Sequence, residues 1–217
     1  MPSAEETQSI IKHKESKLAK YTGPTNKLYR NYGAADLSNR KLVSSFRQNA
    51  SGQHGAVRKK LSEYAIHLKE KQKIRLTYML SEKQFSRYYR EAVRSKGVTG
   101  TVLLQLLESR LDNLLFRTGF ASTRKQARQI AGHGHVLING KKADIPSYIL
   151  KPGDVVTVKS SSSEFIKSVM NSIDLSLTPS WITVDREALK LVFDRIPERE
   201  ELDPEFKEQL VIEYYSK

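Results

Sequence analysis

One stretch, Leu103 to Lys159, limits what this chain can fold into, because its hydrophobic spacing changes period along its length. Leu104, Leu107, Leu111 and Leu114 recur at three and four residues, which puts an apolar stripe on one side of a helix. Thr101 and Gly119 bracket that helix as start and stop, and Arg110 and Arg117 share a different face. Thr123 and Gln126 have the spacing of a capping box and open a second helix. Ala127, Ile130 and Ala131 form its buried face, while Arg124, Lys125 and Arg128 point elsewhere. Gly132 and Gly134, flanking His133, end it. His135 to Ile138 then reads as a strand, Asn139-Gly140 as a two-residue hairpin turn, and Lys141 and Lys142 follow directly. Lys151-Pro152-Gly153-Asp154 fits a type II turn ahead of a strand over 155–159. The expected unit is two helices packed on a small antiparallel sheet, with Arg124, Lys125, Arg128, Lys141 and Lys142 on one basic surface.

Charge separates this unit from its flanks. The 217 residues carry a net charge of +13. Residues 1–100 hold 21 Lys and Arg against 8 Asp and Glu, residues 101–160 hold 9 against 4, and residues 161–217 hold 7 against 12. The first three-quarters of such a chain repel themselves unless a polyanion is present, while the tail does not, and dense Lys and Arg are rewarded by counterion release from phosphates. Nucleic acid therefore ranks above an anionic membrane surface, which needs one continuous polybasic or amphipathic anchor. No apolar run is long enough to span a bilayer. The start carries Glu5 and Glu6 and no apolar block, so no secretory signal is expected. The absence of cysteine rules out disulfides and thiolate metal sites.

The first hundred residues open with a polar extension, 1–20, partly helical around Ile10 to Leu18. Tyr21-Thr22-Gly23-Pro24 is a turn. Residues 25–57 show little periodicity and read as disordered or shaped by a partner. Gly52-Gln53-His54-Gly55 precedes Arg58, Lys59 and Lys60, a loop able to bring backbone close to a phosphate. Ser62 caps a helix with Leu61, Tyr64, Ala65 and Leu68 at helical spacing and Lys69 and Lys73 on another face. Ser81 and Gln84 form a capping box. Beyond it Phe85, Tyr88, Tyr89 and Ala92 mark a core face, and Lys83, Arg87, Arg90 and Arg94 mark an RNA-facing one. In the tail, Ser160 to Ser163 reads as a flexible joint and Glu164 to Asn171 as a helix. Trp181 to Val184 reads as a strand, 186–192 as a helix capped by Asp185, and Asp203-Pro204 as a helix start. The acidic run Glu198 to Glu205 reads as a solvated face or a dock for a basic neighbour. His133 and His135 do not make a zinc site without further ligands, His54 and His67 read as RNA-facing or surface residues, and no phosphate-loop or dinucleotide motif is present.

The block Glu108 to Arg117, with Gly119-Phe120, Thr123-Arg124, Ala127 to Gln129, Val136 to Gly140 and Pro152 to Val156, resembles the RNA-binding domain named after ribosomal protein four of the small subunit. Tyr21 to Pro24, Gly52 to Gly55, Leu61 to Tyr64, Lys69 to Lys73 and Tyr214 to Lys217 resemble the ribosomal protein family itself, of bacterial and organellar type. The resemblance covers Tyr21 to Lys217. It implies an α+β fold: an N-terminal helical RNA-binding domain over 21–106, the central domain over 107–170, and a segment over 171–217 packed back on the helices. It also implies a non-catalytic constituent of a cytoplasmic small ribosomal subunit, with no cofactor. Such a protein binds small-subunit ribosomal RNA at a multi-helix junction early in assembly. It sits beside ribosomal proteins three and five, near the channel where messenger RNA enters, where it bears on decoding accuracy, and in some bacteria it represses its own messenger. The matched positions add Lys71, Lys73, Arg110 and Arg117 to the expected RNA contacts, with Tyr21, Gly23, Pro24, Lys69, Thr123 and Asn139; Arg75 and His133 are expected RNA contacts as well. Some family members bind a metal through N-terminal cysteines, which this chain lacks.

The rival reading is an enzyme using the same domain, such as a ribosomal-RNA pseudouridine synthase, whose catalytic aspartate lies in an Arg-Leu-Asp motif. Here Arg110-Leu111-Asp112 sits inside a helix, and the residues after 160 are too few for that catalytic domain. A free RNA chaperone of ribosome recycling is the other rival, but such proteins are short and lack N-terminal helices.

Overall fold

The computed structural model describes residues 21, 23–33, 49–57, 60–172 and 178–216. The extension 1–20, Thr22, Arg58 and Lys59 lie outside the described residues. The elements are α1 (Thr25–Tyr32), α2 (Glu63–Thr77), α3 (Glu82–Arg94), α4 (Thr99–Glu108), α5 (Leu111–Arg117), α6 (Arg124–Gly132), β1 (Val136–Ile138), β2 (Lys141–Ala143), β3 (Val155–Val158), α7 (Ser163–Asn171), β4 (Ile182–Asp185), β5 (Lys190–Phe193) and α8 (Glu208–Ser216). The fold is α+β: a helical N-terminal part, then helices on an antiparallel sheet, with the chain's end returning to the helices.

Local signals in the sequence set most of these boundaries. The Ser62 hydroxyl accepts from the Ala65 amide at the start of α2. Ser81 and Gln84 form the reciprocal capping box that opens α3. Thr123 caps α6 by accepting from the Gln126 amide, but the Gln126 side chain accepts from Ser122 instead of closing the box on Thr123. Asn139 and Gly140 take φ of 50° and 78°, which gives the two-residue turn the handedness of the twisted strands it joins, with Ile138 opposite Lys141.

Five expectations about elements are corrected. The single helix expected over 101–119 is two, because Arg110 is extended and bridges to Ile149; α4 also starts earlier, with no side-chain cap. The helix expected over 186–192 is a hairpin. Asp185 does accept from the Glu187 and Ala188 amides, but these close a turn between β4 and β5. That hairpin extends the central sheet, whose order is β2-β1-β3-β5-β4, through pairing of β5 with β3. The Ser160–Ser162 joint is a 3-10 turn with Ser162 buried against His135. Asp203-Pro204 makes a turn, and α8 begins at Glu208. Residues 25–32, which show no sequence period, form a helix.

One core runs through both halves: Ile74, Phe85, Tyr88, Leu104, Leu111, Leu114, Ile130, Val156, Leu191 and Val211 all belong to it. At roughly 1.5–3 kcal/mol for each large apolar side chain removed from water, this continuous burial holds the helical part to the sheet. The buried side of α2 is His67, Lys71 and Ile74, not the Leu61, Tyr64, Ala65 and Leu68 stripe; Leu61 and Tyr64 are exposed. The cause is α8. It packs along α2, placing Glu213 3.1 Å from His67 Nε2 and the Tyr214 ring 4.5 Å from Lys71 Nζ.

Candidate nucleic-acid interface

The amphipathic helix α3 supplies the clearest surface. Phe85, Tyr88 and Ala92 are buried on one side, so helical geometry turns Lys83, Arg87, Arg90 and Arg94 outward, and all four are exposed. Lys96, just beyond the helix, is exposed too. Arg90 Nε donates to its own helix at the Ser86 carbonyl. None of these five cations forms an ion pair with a described carboxylate. Such a face, where Glu91 alone opposes five cations, suits a polyanion better than water alone.

A second element is the loop over 49–57. Arg30 Nε and Nη2 donate to the Asn49 and Ala50 carbonyls, and the Asn31 carboxamide oxygen accepts from the Ser51 amide, so α1 anchors the loop. A Cβ on Gly55 would lie 1.9 Å from the Ala50 carbonyl oxygen, so no other residue fits this fold-back. Gln53, His54 and Lys60 are exposed on or beside it. The third element is the β1–β2 hairpin, where Lys141 and Lys142 are exposed at its tip. Asn139 serves the hairpin itself, donating to Asp154 and accepting from the Val155 amide. His133 is exposed, and Lys125 Nζ lies 5.3 Å from the centre of the Tyr21 ring. Tyr21 also donates to the Pro24 carbonyl, closing the turn that holds Gly23.

Other cations on the expected surface turn inward. Arg110 is 2% exposed and Arg124 3%, so neither belongs to an RNA-facing surface. Asp112 Oδ1 and Oδ2 receive Nε and Nη2 of Arg110 at 3.0 and 2.8 Å, and Oδ2 receives Nε and Nη2 of Arg128 at 3.0 and 2.8 Å. Arg110 also donates to the Tyr88 hydroxyl. Arg128 reaches on to the Met79 carbonyl at 2.8 Å, tying α6 to the end of α2. Beside this triad, the buried Glu108 accepts from Arg117, Asn113 and Tyr78, and Arg124 Nε donates to Asn113. Arg124 also lies over the Phe116 ring at 4.4 Å.

Burial by itself would raise both carboxyls. The Arg117 charge and hydrogen bond outweigh it at Glu108, and Arg110 and Arg128 outweigh it at Asp112, so both stay below the usual carboxylate range. Burial, then the neighbouring Glu108 charge, pushes the Tyr78 phenol well up. The Arg-Leu-Asp motif is therefore a packed ion triad. Asp112 is 3% exposed, and its four charge-assisted bonds account for its burial.

Lys71 is likewise 3% exposed, bonded to Glu82 at 2.8 Å, and so is not an RNA contact. Lys73 bonds Glu205, and Arg75 bonds Gln72 and the Leu80 carbonyl. His67 is buried rather than on the surface. Lys69 remains exposed. Sequence reading also passed over Lys27 and Lys96, both exposed; Lys27 lay in a stretch with no visible period. Among the described residues no group of three or more His, Asp or Glu could hold a metal ion, and no helix is long and apolar enough to cross a membrane.

Comparison with known proteins matches these two parts to two family models. One described as "Ribosomal protein S4/S9 N-terminal domain" covers residues 20–108, and one described as "S4 domain" covers residues 109–156. The chain is 48% identical over 202 residues to "Small ribosomal subunit protein uS4" of Mycoplasmopsis synoviae, covering 92% of this chain and 100% of that protein. It is 45% identical over 204 residues to the protein of the same name from Akkermansia muciniphila, with the same coverage. A third relative, "Small ribosomal subunit protein uS4A" of Symbiobacterium thermophilum, is 47% identical over 208 residues, again at 92% and 100%. The helical part, the central sheet domain and the returning C-terminal helix thus lie within full-length matches, and the chain belongs to the small ribosomal subunit protein uS4 family.

Proposed function

We propose that this chain is a structural, non-enzymatic constituent of the small ribosomal subunit that grips ribosomal RNA through phosphates. The observation that carries this is the basic face of α3, Lys83, Arg87, Arg90 and Arg94, which pairs with no carboxylate among the described residues, in a chain of net charge +13. The anchored Gln53–His54 loop, Lys60, Lys69, Lys125, His133, Lys141 and Lys142 extend the same grip. These groups position a folded RNA by its backbone, and few of them are built to read base edges.

The RNA site is a multi-helix junction, where a rigid two-part body holds several RNA strands together and so nucleates assembly. The channel where messenger RNA enters, ribosomal proteins three and five, an effect on decoding accuracy and repression of its own messenger complete the reading, in a cytoplasmic ribosome. The acidic C-terminal third supports a protein neighbour there, since a face rich in Glu does not suit RNA.

The test is affinity for small-subunit ribosomal RNA against salt. A clamp of several phosphates gives a log–log slope of about −0.7 to −0.9 for each phosphate neutralised. Replacing Arg87, Arg90 and Arg94 with Gln reduces that slope by about 1 for each phosphate no longer neutralised. A flat salt dependence, or an unchanged slope in the triple variant, refutes the proposal.

A further inference from the structure

The phosphate grip leaves one cavity unused. A half-open space of about 390 Å³ lies between α1, the end of α2 and the start of α3. Tyr21, Tyr32 and Leu28 line it from the N-terminal side, and Gln72, Arg75 and Glu82 supply its polar groups. We infer that this cavity receives one unstacked base of the bound RNA, an inference that rests on the function proposed above.

The chemistry favours a base over a phosphate. Leucines and two phenol rings offer no gain to a solvated anion, and the Arg75 guanidinium in the lining is already committed to Glu82, Gln72 and the Leu80 carbonyl. Aromatic faces do reward a flat heterocycle, whatever its sequence identity. The volume sits at the small end of ligand pockets, which run from about 300 to 1,000 Å³, so it suits one nucleoside and not a strand. The polar groups are also pre-sorted. Gln72 Oε1 accepts from both Arg75 Nε and Arg75 Nη2, at 2.9 and 2.6 Å, so its amide nitrogen is the part left for a ligand. Arg75 Nη1 is fixed on the Leu80 carbonyl, which holds the guanidinium plane in place.

The surroundings supply the charge that a base needs on either side. Lys125 lies over the lining residue Tyr21, placed for a phosphate flanking an inserted nucleoside, and Lys27 is exposed on α1. The cavity is braced by the central domain as well. Met79, one of its lining residues, holds φ at 53°, and its carbonyl is gripped by Arg128. Held backbone of this kind fixes that part of the cavity wall.

The test uses the full chain bound to small-subunit ribosomal RNA. Short-wave ultraviolet irradiation links stacked aromatic side chains to bases, and mass spectrometry locates the adduct. The expected result is a nucleotide adduct on Tyr21 or Tyr32. Leu28→Trp fills the space with the protein's own ring and Tyr32→Leu removes a stacking face. Each is expected to lower affinity about 10-fold, within the range measured for loss of one stacked base, with the salt slope unchanged. Circular dichroism establishes that each variant is folded, and either folded variant decides the question. Wild-type affinity in a folded variant, or adducts only elsewhere, overturns the cavity assignment while leaving the phosphate grip intact. Failure of the wild-type chain to bind the RNA overturns the function on which the inference rests.

Discussion

Replacing Asp112 with Asn separates a structural role for the inward arginines from an RNA-binding one. The substitution keeps the side-chain volume, so it opens no cavity, and what it removes is the charge facing two guanidiniums. Asp112 accepts four hydrogen bonds, two from Arg110 and two from Arg128, all between 2.8 and 3.0 Å. Arg110 is 2% exposed and cannot move to water without leaving the Tyr88 hydroxyl and ring of α3. Each pair, near 4 Å between charge centres, is worth about 4 kcal/mol at an effective dielectric of about 20. Much of that gain is offset in the native protein by desolvation, but once the carboxylate is gone the desolvation cost of Arg110 remains. The net loss is therefore about 3–5 kcal/mol, the usual cost of leaving a buried charge alone. With a urea dependence of about 3 kcal/mol per molar, the unfolding midpoint falls by about 1–1.7 M. Chemical denaturation followed by circular dichroism measures this. RNA affinity of the folded variant, taken well below its midpoint, stays within a few-fold of wild type, because neither Arg110 nor Asp112 reaches the surface. A midpoint shift under about 0.3 M refutes the reasoning, since it puts the triad on a par with a solvated surface pair.

Two further outcomes follow from the same geometry. Arg124→Ala lowers stability by about 2–3 kcal/mol through its loss from Asn113 and the Phe116 ring, whereas Lys125→Ala leaves stability within about 0.5 kcal/mol and weakens RNA binding; paired urea melts and binding curves distinguish them, and equal stability losses contradict the burial difference. Glu108 and Asp112 are held below the carboxylate range in the folded protein, so at acid pH the unfolded chain binds more protons. Their stabilisation is complete above about pH 4.3 and is lost as pH falls through their folded values, and a urea midpoint that stays level from pH 7 to pH 3 refutes this.

Much of the fold is legible in the sequence because its signals are local. The Ser81–Gln84 box, the Asn139-Gly140 turn and the two-faced spacing of α3 each depend on residues within a few positions, and each forms. What fails is non-local. The 186–192 stretch has a helix start signal at Asp185, but the free edge of β3 pairs with Lys190 to Phe193 and makes it a strand. Arg110 looks like a mid-helix residue by spacing, yet Ile149, which is 39 positions away, holds it extended. Lys71 and His67 carry polar side chains on the inner side of α2, and their partners come from outside the helix: Glu213 and Tyr214 of α8, arriving from the chain's end, and Glu82 at the start of α3.

The same division explains why the binding surface was only half visible. Periodicity places arginines on a face but does not say what that face meets. In the central stretch Arg110, Arg117 and Arg128 are ion-paired to Asp112 and Glu108, and Arg124 is bonded to Asn113. Lys141, Lys142 and Lys151 in the same stretch are exposed. Residue type does not explain the difference, because Arg87, Arg90 and Arg94 on α3 are exposed as well. The acids do. Glu108 and Asp112 lie within the run Leu103 to Leu115, among leucines that must be buried, and a buried carboxylate needs cations able to approach it in pairs. Arginine's rigid fork meets that need, so two acids in an apolar run draw in the nearest arginines and withdraw them from RNA. On α3 Glu82 is already bonded to Lys71 and Tyr215 at the helix start, and Glu91 is exposed, which leaves the basic face with no buried carboxylate of its own helix to satisfy. A cation's availability to RNA is therefore set by the nearest acid's position in the hydrophobic pattern.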